Sequence, residues 1–162
     1  MTVAYLGVGS NLGDRRAQLD EAVQALDWGD ARVVARSSIY ETEPVGGPDD
    51  QPAFLNLVIG VETSLGVRAL FERCQGVEVA LGRARDDEIR WGPRAIDIDL
   101  LLFGHEVVHD ADLTVPHPRM TERAFVLLPL EEIARDVTIP GKGTVEDAVR
   151  ALGKAEGVRA LP

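Results

Sequence analysis

The sequence predicts an α+β fold: a ferredoxin-like βαββαβ core with an antiparallel sheet, followed by additional C-terminal helices and strands. Three observations predict it. Strand-like and helix-like stretches follow one another in the order strand, helix, strand, strand, helix, strand over residues 3–103. No repeat, low-complexity tract or linker divides the chain. Its 162 residues are enough to bury one core, so residues 1–162 are expected to form a single domain.

Val3 to Val8 is an apolar run that reads as a buried strand, and Ser10-Asn11-Leu12-Gly13-Asp14 as the turn after it. Leu19, Ala22, Val23 and Leu26 recur at the spacing of one helix face, which predicts a helix over 15–26 with Asp14 as its N-cap. Ala31 to Glu41 reads as a second strand and Phe54 to Thr63 as a third, separated by the Pro- and Gly-rich loop Pro44 to Pro52. Val67 to Leu81 reads as a helix with Leu70, Phe71, Cys74, Val77 and Leu81 inward, and Ala95 to Phe103 as the fourth strand. Beyond Gly104 a helix is expected from Thr121 toward Leu128. A last short helix opens at Thr144, where Asp147 three residues on completes a capping box.

Composition narrows the function classes. With 17 basic and 27 acidic residues the net charge is −10, which repels phosphate backbones and argues against nucleic-acid binding. Cys74 is the only cysteine, which excludes an internal disulfide and a cysteine-built zinc site. The apolar stretch Ile98 to Phe103 contains Asp99 and falls far short of the ~20 residues of a membrane span. The first residues, Met1-Thr2-Val3-Ala4-Tyr5, lack the charged start and apolar block of a secretory signal, so a cytoplasmic protein is expected. All the basic residues except Lys142 and Lys154 are Arg, a bias that matters where arginines gather, because Arg grips phosphate bidentately.

The strongest local signal is Arg90-Trp91-Gly92-Pro93-Arg94-Ala95-Ile96-Asp97-Ile98-Asp99. On a strand, Asp97 and Asp99 share one face, with Leu101 and Phe103 expected beside them, while Ile96, Ile98 and Leu100 take the other. Two carboxylates about 7 Å apart along a strand can embrace one or two hard cations. A half-solvated strand face is the alternative, but two acids on a partly apolar face repel and are costly to bury without a cation. Arg83, Arg85, Arg90 and Arg94 precede or interleave with this segment, as a polyphosphate tail requires. Together the features point to a magnesium–nucleotide site. Phe54 and Asn56 share a strand face and offer a stacking surface and an amide for a heterocycle edge, although the pattern alone favours a core role for Phe54 and an edge role for Asn56.

Other motifs carry less. Gly7-Val8-Gly9-Ser10-Asn11-Leu12-Gly13 imitates a phosphate loop, but it lacks the Gly-Lys-Ser/Thr ending and the G-x-G-x-x-G spacing, so its glycines read as turn glycines. His105 and His109 flank a short strand, Glu106-Val107-Val108, and lack a third ligand. Cys74 reads as core, and His117, held in a loop between Pro116 and Pro118, is as open to a functional role as to that of a satisfied loop histidine.

These residues together resemble the 6-hydroxymethyl-7,8-dihydropterin pyrophosphokinases of folate biosynthesis. The resemblance rests on Ala4 to Gly13, Tyr40-Glu41-Thr42-Glu43-Pro44, Gln51 to Asn56, Gly82-Arg83, Arg90 to Leu100 and Leu113-Thr114-Val115-Pro116-His117-Pro118, and spans residues 4–134. It implies transfer of pyrophosphate from ATP to the hydroxymethyl oxygen of the pterin, with AMP released. It implies two Mg2+ ions on Asp97 and Asp99, phosphate contacts from Arg83, Arg85 and Arg94, and closure by Trp91. Around ATP it implies Thr114, His117, Gln75, Glu78, Arg123 and the backbone at Leu70 and Ile98. Around the pterin it implies Asn56, the backbone at Thr42, Glu43 and Val45, Trp91, and a sandwich between Phe54 and Phe125. Arg83, Arg94, Asp97 and Asp99 are the expected catalytic residues. Segments around 7–13, 45–52 and 83–91 are expected to close over the substrates as flexible loops, and the protein to act as a monomer without nucleic acid or membrane.

The chain departs from the family pattern at Asp86-Asp87-Glu88 and Asp112, where some relatives carry a basic residue, and at Pro118, where some carry an aromatic. Three rival readings remain at this point: an idle nucleotide-binding regulator, an RNA-binding module, which the charge opposes, and a magnesium-dependent nucleotide hydrolase.

Overall fold

A computed structural model describes residues 1–43, 53–82, 96–155 and 157–162. The chain runs β1 (Thr2–Ser10), α1 (Arg15–Leu26), β2 (Ala31–Arg36), β3 (Tyr40–Thr42), β4 (Phe54–Thr63), α2 (Val67–Ala80) and β5 (Asp97–Phe103). It continues β6 (Val108–His109), β7 (Thr114–Val115), a 3-10 turn (Met120–Glu122), α3 (Ala124–Ala134), β8 (Thr138–Ile139), β9 (Gly143–Thr144), α4 (Val145–Leu152) and β10 (Val158–Ala160). The six-stranded sheet has the order β10-β3-β4-β1-β5, with β2 also on β4, and every pairing is antiparallel. This is the expected α+β, ferredoxin-like core with C-terminal additions. No described helix is long and apolar enough to cross a membrane.

Strand periodicity builds two apolar layers. Ala4, Leu6 and Val8 of β1 and Leu55, Leu57, Ile59 and Val61 of β4 meet Leu19, Ala22, Val23 and Leu26 of α1 and Leu70, Cys74 and Val77 of α2. On the opposite face Val58, Leu101 and Leu102 meet Val126, Leu127 and Leu130 of α3 and Val145 and Ala148 of α4. The central strands are therefore covered on both sides, which leaves polar side chains a place only toward the strand ends.

Asp14 caps α1 by accepting the Ala17 N–H at 3.1 Å, and Thr144 and Asp147 form the expected capping box on α4. The strand expected over 31–41 is two strands: Ser37 turns inward between them, its N–H donating to Val58 O and its Oγ accepting the Val58 N–H, both at 2.9 Å. Phe103 does not share the Asp97–Asp99 face. Tyr5 pairs with Leu102 and Leu6 with Leu100, so Leu101 is an extra residue. That bulge turns Leu101 and Leu102 toward α3 and sends Phe103 to the α1–α2 side. Gly7 and Gly9 lie within β1, paired on both edges; in that motif only Gly13, at φ 70°, needs a glycine's left-handed backbone. The flexible loop expected over 7–13 is thus strand as far as Ser10. The helix expected to stop near Leu128 starts at Ala124 and runs through Pro129 to Ala134, because the buried packing of Val126, Leu127, Pro129 and Leu130 outweighs one missing N–H. The strand expected at 106–108 forms only at Val108–His109, after a turn at Gly104–His105.

Candidate active site

Directly paired residues of neighbouring strands project to one face, so the register aligns side chains in rows across the sheet. One row runs Tyr40, Asn56, Gly9, Asp97 across β3, β4, β1 and β5; the next along β1 runs Val58, Gly7, Asp99. α3 covers this face over Val58 and Leu101 and leaves the row ending in Asp97 partly open. Asp97 and Asp99 are both partly exposed there. Arg123, the residue before α3, places Nη1 3.9 Å from an Asp99 carboxylate oxygen and its guanidinium 5.6 Å from the centre of the Phe125 ring. No group of three or more His, Cys, Asp and Glu gathers for a metal among the described residues. Two hard oxygen donors on a partly open face nevertheless fit magnesium, which keeps several ligand positions for water and substrate phosphate.

At the other end of the row Asn56 is buried, and its Nδ2 donates to Thr42 Oγ1 at 3.0 Å. Phe54, two residues earlier on the same face, and Phe125, in the first turn of α3, are partly exposed aromatic surfaces. Thr42 is buried, whereas Glu43 is exposed and its backbone N–H donates to Gly157 O at 3.0 Å, so one of its two backbone groups is engaged. α3 is tied to β3 through Glu132, which accepts from Tyr40 Oη and from the Ser38 N–H.

The edge beyond β5 carries the remaining polar groups. Ile98 pairs with Val8 yet donates its N–H outward, to Glu78 Oε2 at 2.8 Å. Glu78 is only 5% exposed, so this carboxylate anchors the strand between the two aspartates. Gln75 is exposed, while the Leu70 side chain lies in the core and its N–H donates to Gly66 O at 3.0 Å. Thr114 sits on β7 opposite His109. His117 donates its N–H to Leu101 O at 2.9 Å, and its Nδ1 accepts the Arg119 N–H at 3.2 Å. In the neutral ring this assigns the proton to Nε2, which is then a donor. Burial, then Arg123 and Arg119, hold its pKa below the ordinary value against the opposing pull of Asp97.

The 7,8-dihydro-6-hydroxymethylpterin-pyrophosphokinase family model matches residues 5–135. The chain belongs to this pyrophosphokinase family. It is 47% identical over 158 residues to 2-amino-4-hydroxy-6-hydroxymethyldihydropteridine pyrophosphokinase of Bacillus subtilis, covering 97% of this chain and 89% of the relative. It is 50% identical over 153 residues to the protein of the same name from Methylorubrum extorquens, covering 94% of each. The crystal structure of Plasmodium falciparum HPPK-DHPS shares the fold with a TM-score of 0.76 at 14% identity, over 98% of this chain. The chain spans 46% of that larger protein.

Of the residues expected for a pyrophosphokinase, the structure brings Asp97, Asp99, Arg123, Phe125 and His117 to one end of the sheet, with Phe54, Asn56 and Thr42 across β1. Val45, Arg83, Arg85, Trp91 and Arg94 lie outside the described residues, as do two of the segments expected to close. Asp112, a departure from the family pattern, has a local partner: Arg68 of α2 binds Asp112 at 2.8 Å and Asp110 at 2.7 Å. The Asp112 carboxyl is accordingly held below its usual range by the Arg68 guanidinium. Sequence reasoning missed three positions. Glu78 as a strand anchor and the Arg68 clasp left no local signal. Gly9 did: a glycine inside a strand marks close approach of another group.

Proposed function

We infer that the chain transfers pyrophosphate from ATP to the hydroxymethyl group of 6-hydroxymethyl-7,8-dihydropterin, with Asp97 and Asp99 holding two Mg2+ and the ring bound across β1. The observation that carries this reading is the row Asn56–Gly9–Asp97, in which an amide for a ring edge and a carboxylate for a cation stand two strand spacings apart, about 10 Å. A bicyclic ring with polar groups at one end and a hydroxymethyl arm at the other spans that gap. Phe54 and Phe125 supply its two faces, and Asn56 reads its edge.

The hydroxyl oxygen attacks the β-phosphorus as the bond to the AMP oxygen breaks. Bound magnesium supplies charge neutralisation on the phosphates and a more acidic alcohol, so no side chain need be a strong base. Arg123 adds fixed positive charge beside Asp99. The neutral His117 ring offers Nε2–H to the nucleotide without adding charge. By the family pattern Arg83, Arg85 and Arg94 are assigned to the phosphates and Trp91 to the bound substrates; all four lie outside the described residues. Rate then comes from positioning and electrostatic stabilisation. Phosphorus NMR of the purified protein with ATP, magnesium and the pterin tests the reading. AMP with a pterin diphosphate supports transfer; inorganic phosphate or pyrophosphate without that product supports a hydrolase and refutes it.

A further inference from the structure

We propose that Gly9 is a positioning residue for the pterin: its missing side chain sets the Asn56 carboxamide in its binding orientation and clears the floor between that amide and Asp97. The inference rests on the assignment of Asn56 to the pterin given above.

Gly9 lies in β1 between Asn56 of β4 and Asp97 of β5. Its backbone is not in the left-handed region, so conformation does not demand glycine there. Space does. A Cβ built on Gly9 stands 2.6 Å from Asn56 Oδ1 and 3.6 Å from its Cγ, far inside contact distance for the first. The amide therefore leans over Gly9, with Oδ1 above the strand that separates it from the carboxylates. It cannot swing aside cheaply, because it is 9% exposed and its Nδ2 is held by Thr42 Oγ1 at 3.0 Å. A methyl group at this position would break that hydrogen bond or push Oδ1 off the line of the ring edge, and would itself rise into the floor. Gly7, two residues away on the same strand face, gives the contrast. A Cβ there meets only Leu101 side-chain carbons within 4 Å, the nearest at 3.7 Å, which is ordinary contact beneath a covering residue.

The test is a double-mutant cycle on pterin affinity, measured by calorimetry with magnesium and a non-hydrolysable ATP analogue present, on Gly9→Ala, Asn56→Ala and the pair. Gly9→Ala is expected to weaken pterin binding about 10–100-fold, as loss of a buried polar contact does, while ATP-analogue affinity measured without pterin stays within about twofold. In the Asn56→Ala background the same methyl has no oxygen to strike, so Gly9→Ala there should add less than about threefold. Gly7→Ala should bind pterin like the parent. Wild-type pterin affinity in Gly9→Ala, or fully additive losses, would overturn the inference. If Asn56→Ala alone leaves pterin affinity unchanged, the pterin assignment of Asn56 fails instead, which is a separate result. If Gly9→Ala does not fold, restored folding in the double variant supports the Asn56 collision, and no restoration refutes it.

Discussion

Replacing Glu78 separates an anchor of the strand that carries Asp97 and Asp99 from a nucleoside contact. Glu78 is 5% exposed and accepts the Ile98 N–H at 2.8 Å, midway between Asp97 and Asp99. Glu78→Ala leaves that buried N–H without this acceptor, and a hydrogen bond to a charged group is worth about 1.5–3 kcal/mol. At about 2–4 °C per kcal/mol for a chain of this size, the thermal midpoint should fall about 3–12 °C. Glu78→Gln keeps an acceptor oxygen at the same reach. It loses the charge assistance but also the cost of burying a charge, so its midpoint should stay within ~2 °C of the parent. Thermal unfolding of both variants, beside their KM for ATP, checks this. An unchanged midpoint in Glu78→Ala with a raised KM for ATP would refute the anchoring role and leave Glu78 as a nucleoside contact alone.

The His117 ring should titrate below about 6.5, the ordinary histidine value, because burial and the nearby arginines disfavour its cation. Its contribution to stability is then complete above that pH and lost as the pH falls from there toward the folded value, a slope that His117→Gln should flatten. Imidazole NMR signals titrating at or above 6.5 would contradict it. Cys74, whose thiol burial pushes up to about 12, should resist a disulfide reagent at pH 8 until the protein is unfolded. Labelling of the native protein at the rate of an exposed thiol would show the helix face to be open. Thr144→Ala removes one half of the capping box and should cost about 0.5–2 kcal/mol in a denaturant titration; an unchanged midpoint would exclude a stabilising cap.

Most of the fold was legible because its core strands and helices carry clean periods. The inward residues of α1, Leu19, Ala22, Val23 and Leu26, are the ones its 3.6-residue pattern names. The pair Asp97–Asp99 was legible for the same reason, a period of two on a strand. What was not legible depends on partners far along the chain. The bulge at Leu101 comes from pairing with β1, and it moves Phe103 to the other layer although the local alternation puts it beside the aspartates. The break at Ser37 depends on Val58, and β10 on a strand more than a hundred residues earlier. α3 passes through Pro129 because tertiary burial overrides a strong local stop signal. In the site, Asn56 and Asp97 were readable as separate candidates, but that they share a row across Gly9 follows only from the register of three strands.

Magnesium-dependent turnover in Asp97→Asn and Asp99→Asn decides whether the β5 carboxylates hold the cations that transfer needs. Each change removes one carboxylate charge from the β5 face while conserving size, so the fold and thermal midpoint should persist. Losing a hard, charged ligand where phosphate charge is neutralised should cost several kcal/mol of transition-state stabilisation, a fall in kcat of roughly a thousandfold or more. Turnover near the parent level in either variant, with its magnesium dependence unchanged, would contradict the account.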